Sequence, residues 1–154
     1  MNNNFPRLNL PPFSYKLSKS NGKYLIFDVL RKKYVTLTPE EWVRQHFTHY
    51  LLEFKKYPAG LLANEVQIKL NGTTKRCDTI LFKKDMKARM IVEYKAPSVE
   101  ITQAVFNQIT RYNIVLHVDY LIVTNGLKHF CCRIDYKTNT YLFLPDIPAY
   151  TDLI

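Results

Sequence analysis

Three strand-like segments follow one another between two helix-like segments, and this order constrains the fold more than any other feature of the chain. The first segment, 65–70, alternates apolar and polar residues and is followed by an Asn-Gly turn signal. The second, 76–82, and the third, 90–95, are rich in apolar residues and are separated by a short basic turn. The short polar connections predict that the three strands form a meander.

Helix signals lie on both sides of this meander. The run Thr38-Pro39-Glu40-Glu41 offers an N-cap, a first-turn proline and a capping-box acid, so a helix is predicted from there to about residue 56. A second helix is predicted from Pro97 to about residue 117, and the apolar run 120–124 is predicted as a buried strand. Because this helix crosses over from the third strand to the fourth, the sheet should be mixed rather than wholly antiparallel.

The 154 residues are enough for one domain with a substantial core and too few for two ordinary domains. Residues 1–22 contain three prolines and a polar stretch, and they are expected to form an extended arm. Residues 23–145 are expected to form the single domain, with extra short strands near both ends, and 146–154 a C-terminal tail. The predicted fold class is α/β, with a central mixed sheet flanked by helices in the core order α-β-β-β-α-β.

Composition excludes several classes of protein. A hydrophobic content of 47% and a charged content of 23% are typical of a folded globular chain. The three cysteines give no even disulfide framework and match no zinc spacing, so they are expected to be reduced and to lie in strands. The sequence has no run of membrane-spanning length and no apolar targeting segment, which favours a cytoplasmic protein without a membrane partner. The net charge of +9 favours a polyanionic partner such as nucleic acid.

Asp78, Glu93 and Lys95 are the candidate site residues. Glu93 and Lys95 lie two positions apart on the third strand, so their side chains face the same way. Asp78 has the parity of Ile80 and Phe82, and a carboxylate that begins an apolar strand face needs a partner. Taken singly, each residue is explained as a strand end or a solvated salt bridge of little energetic weight. Together, two carboxylates and a lysine suit a divalent cation that activates water.

This ordered set resembles the PD-(D/E)XK nuclease superfamily and, within it, the N-terminal nuclease domain of type I restriction enzyme R subunits. The resemblance covers about residues 24–135 and is carried by Arg76-Cys77-Asp78, Glu93-Tyr94-Lys95 and Gln108-Ile109-Thr110-Arg111-Tyr112. It implies a restriction-endonuclease-like core and a deoxyribonuclease that uses Mg²⁺ or Mn²⁺ on DNA. A full R subunit continues into an ATPase motor, and this sequence has no Walker A motif. The resemblance thus implies a stand-alone domain, working as a homodimer or with separately encoded motor or specificity subunits.

The resemblance also implies roles for individual residues. Asp78 and Glu93 would hold the metal ion, and Lys95 would orient or deprotonate the attacking water. Gln108 and Tyr112 lie four positions apart on the second helix and would complete the catalytic set beside the carboxylates.

Further roles are less narrowly defined. An additional metal ligand is left open between Glu41, in the first core helix, and Glu65, at the start of the meander; neither is required. DNA backbone contacts are expected from Arg111 and from Lys83 and Lys84, although a solvated basic turn is the simpler explanation for the two lysines. A non-catalytic nucleic-acid-binding or interaction module that retains the nuclease fold is the alternative function. A small basic protein that binds a protein partner through its aromatic surface is a third.

Overall fold

The structure is a computed structural model that describes residues 5–70, 72–113 and 116–153, without the side chains of Leu70 and Tyr112. It contains two sheets and two α-helices. The three-stranded sheet has the order β1-β2-β3, comprising β1 (Leu17–Ser20), β2 (Lys23–Asp28) and β3 (Lys33–Thr36). The six-stranded sheet has the order β4 to β9, comprising β4 (Leu62–Leu70), β5 (Thr73–Phe82), β6 (Ala88–Tyr94), β7 (Tyr120–Thr124), β8 (His129–Asp135) and β9 (Thr140–Leu144). The helices are α1 (Pro39–Glu53) and α2 (Gln103–Asn113).

The six-stranded sheet has the predicted topology. Strands β4, β5 and β6 form an antiparallel meander, β6 and β7 run parallel, and β7, β8 and β9 are antiparallel again. The parallel pair requires a crossover, and α2 supplies it. The α/β fold class and the α-β-β-β-α-β core order are therefore confirmed.

Two apolar cores cover the two faces of this sheet. The core on the α1 side is built around Phe47 and Leu51 of the helix and receives Leu81, Met90 and Val92 from the sheet. The core on the α2 side combines Phe106 of the helix with buried residues from four strands of the sheet, β5 to β8. Both faces are thus buried, as expected for a sheet with a helix on each side.

The two helices differ from their predicted lengths. Helix α1 ends at Glu53 because the amides of Phe54 and Lys55 both donate to the Tyr50 carbonyl, and Lys56 then takes a φ of 61°. Helix α2 begins at Gln103, not near Pro97. The segment before it is fixed by tertiary contacts, including a hydrogen bond of 2.8 Å from Asn125 Nδ2 to the Val99 carbonyl.

The ends of the chain are more structured than expected. The last part of the expected arm over residues 1–22 forms β1, which pairs with β2 along its whole length. At the other end, Ile147 and Leu153 are buried in the core on the α1 side, and the Tyr57 hydroxyl donates to the Pro148 carbonyl at 2.9 Å. All three cysteines are buried thiols, as predicted. Neither α-helix in the described part of the chain is long and apolar enough to span a membrane.

Candidate active site

Strands β5 and β6 separate where the candidate carboxylates lie. Their pairing ends at Thr79 and Val92, whereas β6 continues along β7 until the Lys95 amide donates to the Thr124 carbonyl at 2.9 Å. Past this point, Asp78 Oδ2 accepts the hydrogen bond of the Tyr94 amide at 2.9 Å. The Asp78 carboxylate thus occupies the gap between two diverging strands.

The regular alternation of β5 is also interrupted at Asp78. Cys77 and Ile80 lie three positions apart, yet both belong to the core on the α2 side. Thr79, between them, faces the opposite way, because its hydroxyl is 2.9 Å from the Tyr94 hydroxyl. The strict alternation assumed from the sequence therefore fails between Cys77 and Thr79.

The separated strands open into a cleft of about 600 Å³ beneath the first half of α1. Its wall contains all three candidate residues of the trio. Five carboxylates line it, namely Glu40, Glu41, Glu65, Asp78 and Glu93, against three cations, Arg44, Arg76 and Lys95. Five of the chain's 13 acidic residues are thus gathered in one cleft of a protein with a net charge of +9. Such a local excess of acid favours a cation.

Glu93 and Asp78 form a close carboxylate pair. Burial and the neighbouring Asp78 carboxyl raise the pKa of Glu93 to about 8, with nearby Lys75 acting in the opposite direction. Among the described residues, Glu93 Oε1 is buried without a hydrogen-bond partner. A divalent cation would satisfy this oxygen and remove the repulsion between the two carboxylates, so the pair fits the hard oxygen ligands that Mg²⁺ prefers.

The described residues contain no group of three or more His, Cys, Asp or Glu side chains placed to hold a metal ion. This is compatible with Mg²⁺, which often takes one or two protein carboxylates and completes its shell with water and substrate phosphate. The Asp78–Glu93 pair is therefore the candidate for a divalent cation in this cleft.

Arg44 of α1 connects the acidic residues of the cleft. Its Nη1 is 2.9 Å from Glu41 Oε1, and its Nη2 is 2.5 Å from Glu65 Oε1 and 3.6 Å from Asp78 Oδ1. Burial acts to lower the pKa of Arg44, but Glu41 and the other acidic groups outweigh burial and raise it. The guanidinium is therefore a fixed positive charge within the cleft.

Glu41 and Glu65, the alternatives for an additional metal ligand, are both engaged by arginines. Glu41 Oε1 accepts from Arg31 at 2.7 Å as well as from Arg44, and its Oε2 accepts from Gln45 at 2.9 Å. Thr38 caps α1 as predicted, through the Glu41 amide, while the Glu41 carboxylate holds arginines instead of closing a capping box. For Glu65, burial acts to raise the pKa, but Arg44 and the neighbouring Arg76 outweigh burial and lower it.

Lys95 lines the cleft immediately after β6, and its ammonium has no ion-pair partner among the described residues. Gln108 is exposed on α2 and is not among the described residues that line the cleft. Helix α2 turns Phe106, Thr110 and Asn113 toward the sheet instead. The side chain of Tyr112 lies outside the described residues.

The expected DNA-contacting residues lie on the surface. Arg111 is exposed on α2, and Lys83 and Lys84 are exposed in the turn between β5 and β6. The Lys83 ammonium is 3.8 Å from Asp119 Oδ2, an exposed ion pair of small energetic weight.

Lys75 is a site-adjacent residue that sequence reasoning missed. It is only 4% exposed, and burial lowers its pKa to about 8, with Cys77 and Glu93 opposing the shift. Its sequence neighbours Thr73, Thr74 and Arg76 are polar, so the pattern gives no signal of burial. Arg44, which links Glu41, Glu65 and Asp78, is also missing from the candidates that the sequence provides.

A mixed sheet between two helices, with carboxylates at diverging strand ends, defines a restriction-endonuclease-like α/β core. Residues 39–148, more than half of the chain, match the family described as the type I restriction enzyme R protein N terminus. The chain belongs to this family.

Comparison with solved structures gives the same fold. The chain is similar to a fragment assigned to the HsdR subunit of a type I restriction enzyme from Vibrio vulnificus YJ016, with a TM-score of 0.54 and 21% identity. The similarity covers 76% of this chain and 24% of that chain, so this chain spans about a quarter of the length of the structure it matches. No curated protein matches the chain.

Proposed function

We propose that this chain is a metal-dependent DNA endonuclease domain of the restriction type. The observation that carries the proposal is the Asp78–Glu93 pair, two half-buried neighbouring carboxyl groups at the point where two strands diverge. The acidic cleft around the pair, within an otherwise basic protein, supports a cation and a polyanionic substrate at one place. Membership of the restriction R protein family supports DNA as that substrate.

The residues of the cleft have separate tasks in this proposal. A divalent cation held by Asp78 and Glu93 would neutralise phosphate charge and lower the pKa of a bound water. Glu93 would hold the cation as the carboxylate, so its proton would be released to solvent on binding. Arg44 keeps the charge of Asp78 compensated and fixes its position. The Lys95 ammonium donates to the attacking water or to a phosphate oxygen and stabilises developing negative charge.

The test is cleavage of supercoiled plasmid in Mg²⁺ or Mn²⁺, with EDTA as the metal-free condition. The wild type should nick or linearise the plasmid, and Asp78→Ala and Lys95→Ala should each lower the rate by at least about 100-fold. Lys137→Ala removes an exposed lysine of the β8–β9 turn and serves as the matched control, which should cleave at the wild-type rate. Cleavage that survives in Asp78→Ala would refute this site.

A non-catalytic nucleic-acid-binding module is the second candidate. The observation that favours it is Arg44 Nη2, a cation that already lies 3.6 Å from Asp78 Oδ1. That reading predicts plasmid binding that falls with salt and is indifferent to Asp78→Ala, without cleavage under any metal condition.

A further inference from the structure

Most of the net positive charge of the protein lies before the core that matches the R protein family. Residues 1–38 contain seven lysines and arginines but one acid, Asp28, so they supply six of the nine net positive charges. The family match begins at residue 39. Strands β1 to β3, which lie within this basic segment, form a sheet of their own that the family match does not include.

One face of this small sheet packs on the body of the protein and the other faces outward. On β2, Ile26 and Asp28 are fully buried, so the alternate residues Lys23, Leu25 and Phe27 lie on the outer face. Asp28, the acid of this segment, is thus turned away from that face. The outer face carries lysine without a compensating carboxylate.

Aromatic rings and lysines are interleaved on the outer face. Phe27 of β2 pairs with Tyr34 of β3, and their ring centroids are 5.3 Å apart in an edge-to-face arrangement. Tyr34 is 44% exposed, and the Lys16 ammonium lies 5.6 Å from the Phe27 centroid. The pair presents an accessible ring beside a positive charge.

The exposed tip of the β1–β2 hairpin carries a second lysine–aromatic pair, on the opposite face of the sheet. The Lys19 ammonium is 5.3 Å from the ring centroid of Tyr24, which is 49% exposed. The turn contains Asn21 and Gly22, with φ values of 52° and 78°, as two-residue hairpin turns require. All four residues of β1 are exposed, so the hairpin stands out from the body of the protein.

The small sheet is connected directly to the acidic cleft. In the β2–β3 turn, Arg31 donates to Glu41 at 2.7 Å, and Glu41 lines the cleft. Thr38, which follows β3 by two residues, also lines it. The end of the small sheet that carries this turn is therefore the end that lies beside the acidic cleft.

We propose that the outer face of the β1–β3 sheet binds single-stranded DNA and guides it toward the cleft. Tyr34 stacks on an unpaired base, while Lys16 and Lys23 contact the flanking phosphates. Stacking requires unpaired bases, because the faces of the bases are covered in a duplex, and lysines beside aromatic rings are the common means of binding single strands. The use of the bound strand as a substrate rests on the proposed nuclease function; the binding itself does not.

The experiment measures the affinity of the full chain for a fluorescent oligothymidine by anisotropy, in EDTA so that cleavage does not contribute. Tyr34→Ala should weaken binding about tenfold, whereas Tyr34→Phe, which retains the ring, should bind as the wild type. The double change Lys16→Ala with Lys23→Ala should reduce the slope of log affinity against log salt by roughly 1.4. The exposed pair Lys56→Ala with Lys137→Ala is the matched control and should bind as the wild type.

Two results would overturn the proposal. One is unchanged affinity in Tyr34→Ala with normal thermal unfolding of the variant, and the other is equal affinity for the oligothymidine and a duplex of the same length. Plasmid cleavage separates this proposal from the nuclease proposal. Binding that depends on Tyr34 without any cleavage would refute the nuclease alone, and cleavage with Tyr34-independent binding would refute the single-strand face alone.

Discussion

Replacing Glu93 by Gln should change how the stability of this protein depends on pH. Burial and Asp78 raise the pKa of Glu93 from its ordinary value of 4.5 to about 8 in the folded state. Between these two values the folded protein holds a proton that the unfolded chain has released, so the folded state loses stability as pH rises. The glutamine side chain of the variant cannot titrate, so the stability of Glu93→Gln should not show this decrease as pH rises.

The magnitude follows from the two pKa values. They differ by about 3.5 pH units, and each unit corresponds to about 1.36 kcal/mol, which sets a ceiling of about 5 kcal/mol. Because Glu93 keeps part of its surface exposed, we expect roughly half of that ceiling, about 2–3 kcal/mol, at pH 8. At pH 5 Glu93 is protonated and close to glutamine in shape, so the two proteins should be nearly equally stable.

The assay is urea unfolding at pH 5, 6, 7 and 8 in EDTA, followed by the fluorescence of Trp42, the single tryptophan of the chain, which is 4% exposed. Lys75, with its pKa lowered to about 8, also titrates at the upper end of this range. The difference between variant and wild type should grow with pH in favour of Glu93→Gln. Equal pH slopes in the two proteins would refute the buried carboxylate pair. Adding Mg²⁺ at pH 8 should stabilise the wild type and leave the variant unchanged.

Three other substitutions have defined outcomes. Arg44→Met leaves the carboxylates around it without their shared cation and should lower the free energy of unfolding by about 3–5 kcal/mol in urea titrations. Lys95→Met should change that free energy by less than about 0.5 kcal/mol and yet abolish plasmid cleavage; equal losses of both would argue for a structural role. Gly126→Ala should lower the free energy of unfolding, measured by thermal unfolding, by about 2 kcal/mol. The φ of Gly126 is 85°, and an added Cβ would lie 2.8 Å from Leu8 Cδ2.

Much of the central sheet can be predicted from the sequence, because the signals for its elements come from residues that are close together in the chain. Alternation in β4, the apolar run of β7 and the cap at Thr38 each depend on neighbouring residues, and each led to the right element. The start of α2 was misplaced because Pro97 looks like a helix beginning, while a distant residue, Asn125, holds the segment in another conformation. Strand β1 was missed because its pairing partner, and not its own composition, makes it a strand.

The candidate site shows the same limit. Asp78, Glu93 and Lys95 were selected from their order in the chain, and the structure brings them to one cleft. Their surroundings depend on the divergence of β5 from β6 and on the break in the inward–outward alternation of β5 between Cys77 and Thr79. The sequence gives no signal of either feature. The burial of Lys75 and the linking role of Arg44 depend on tertiary packing, and neither has a local signal.

Direct titration of Mn²⁺ tests whether the Asp78–Glu93 pair holds a divalent cation. Free Mn²⁺ would be measured by electron paramagnetic resonance at pH 7.5 in the wild type, Asp78→Ala, Glu93→Gln and the control Lys137→Ala. We expect saturable binding in the wild type and the control, and an affinity at least tenfold weaker in the other two variants. The same affinity and the same number of bound ions in all four proteins would contradict it.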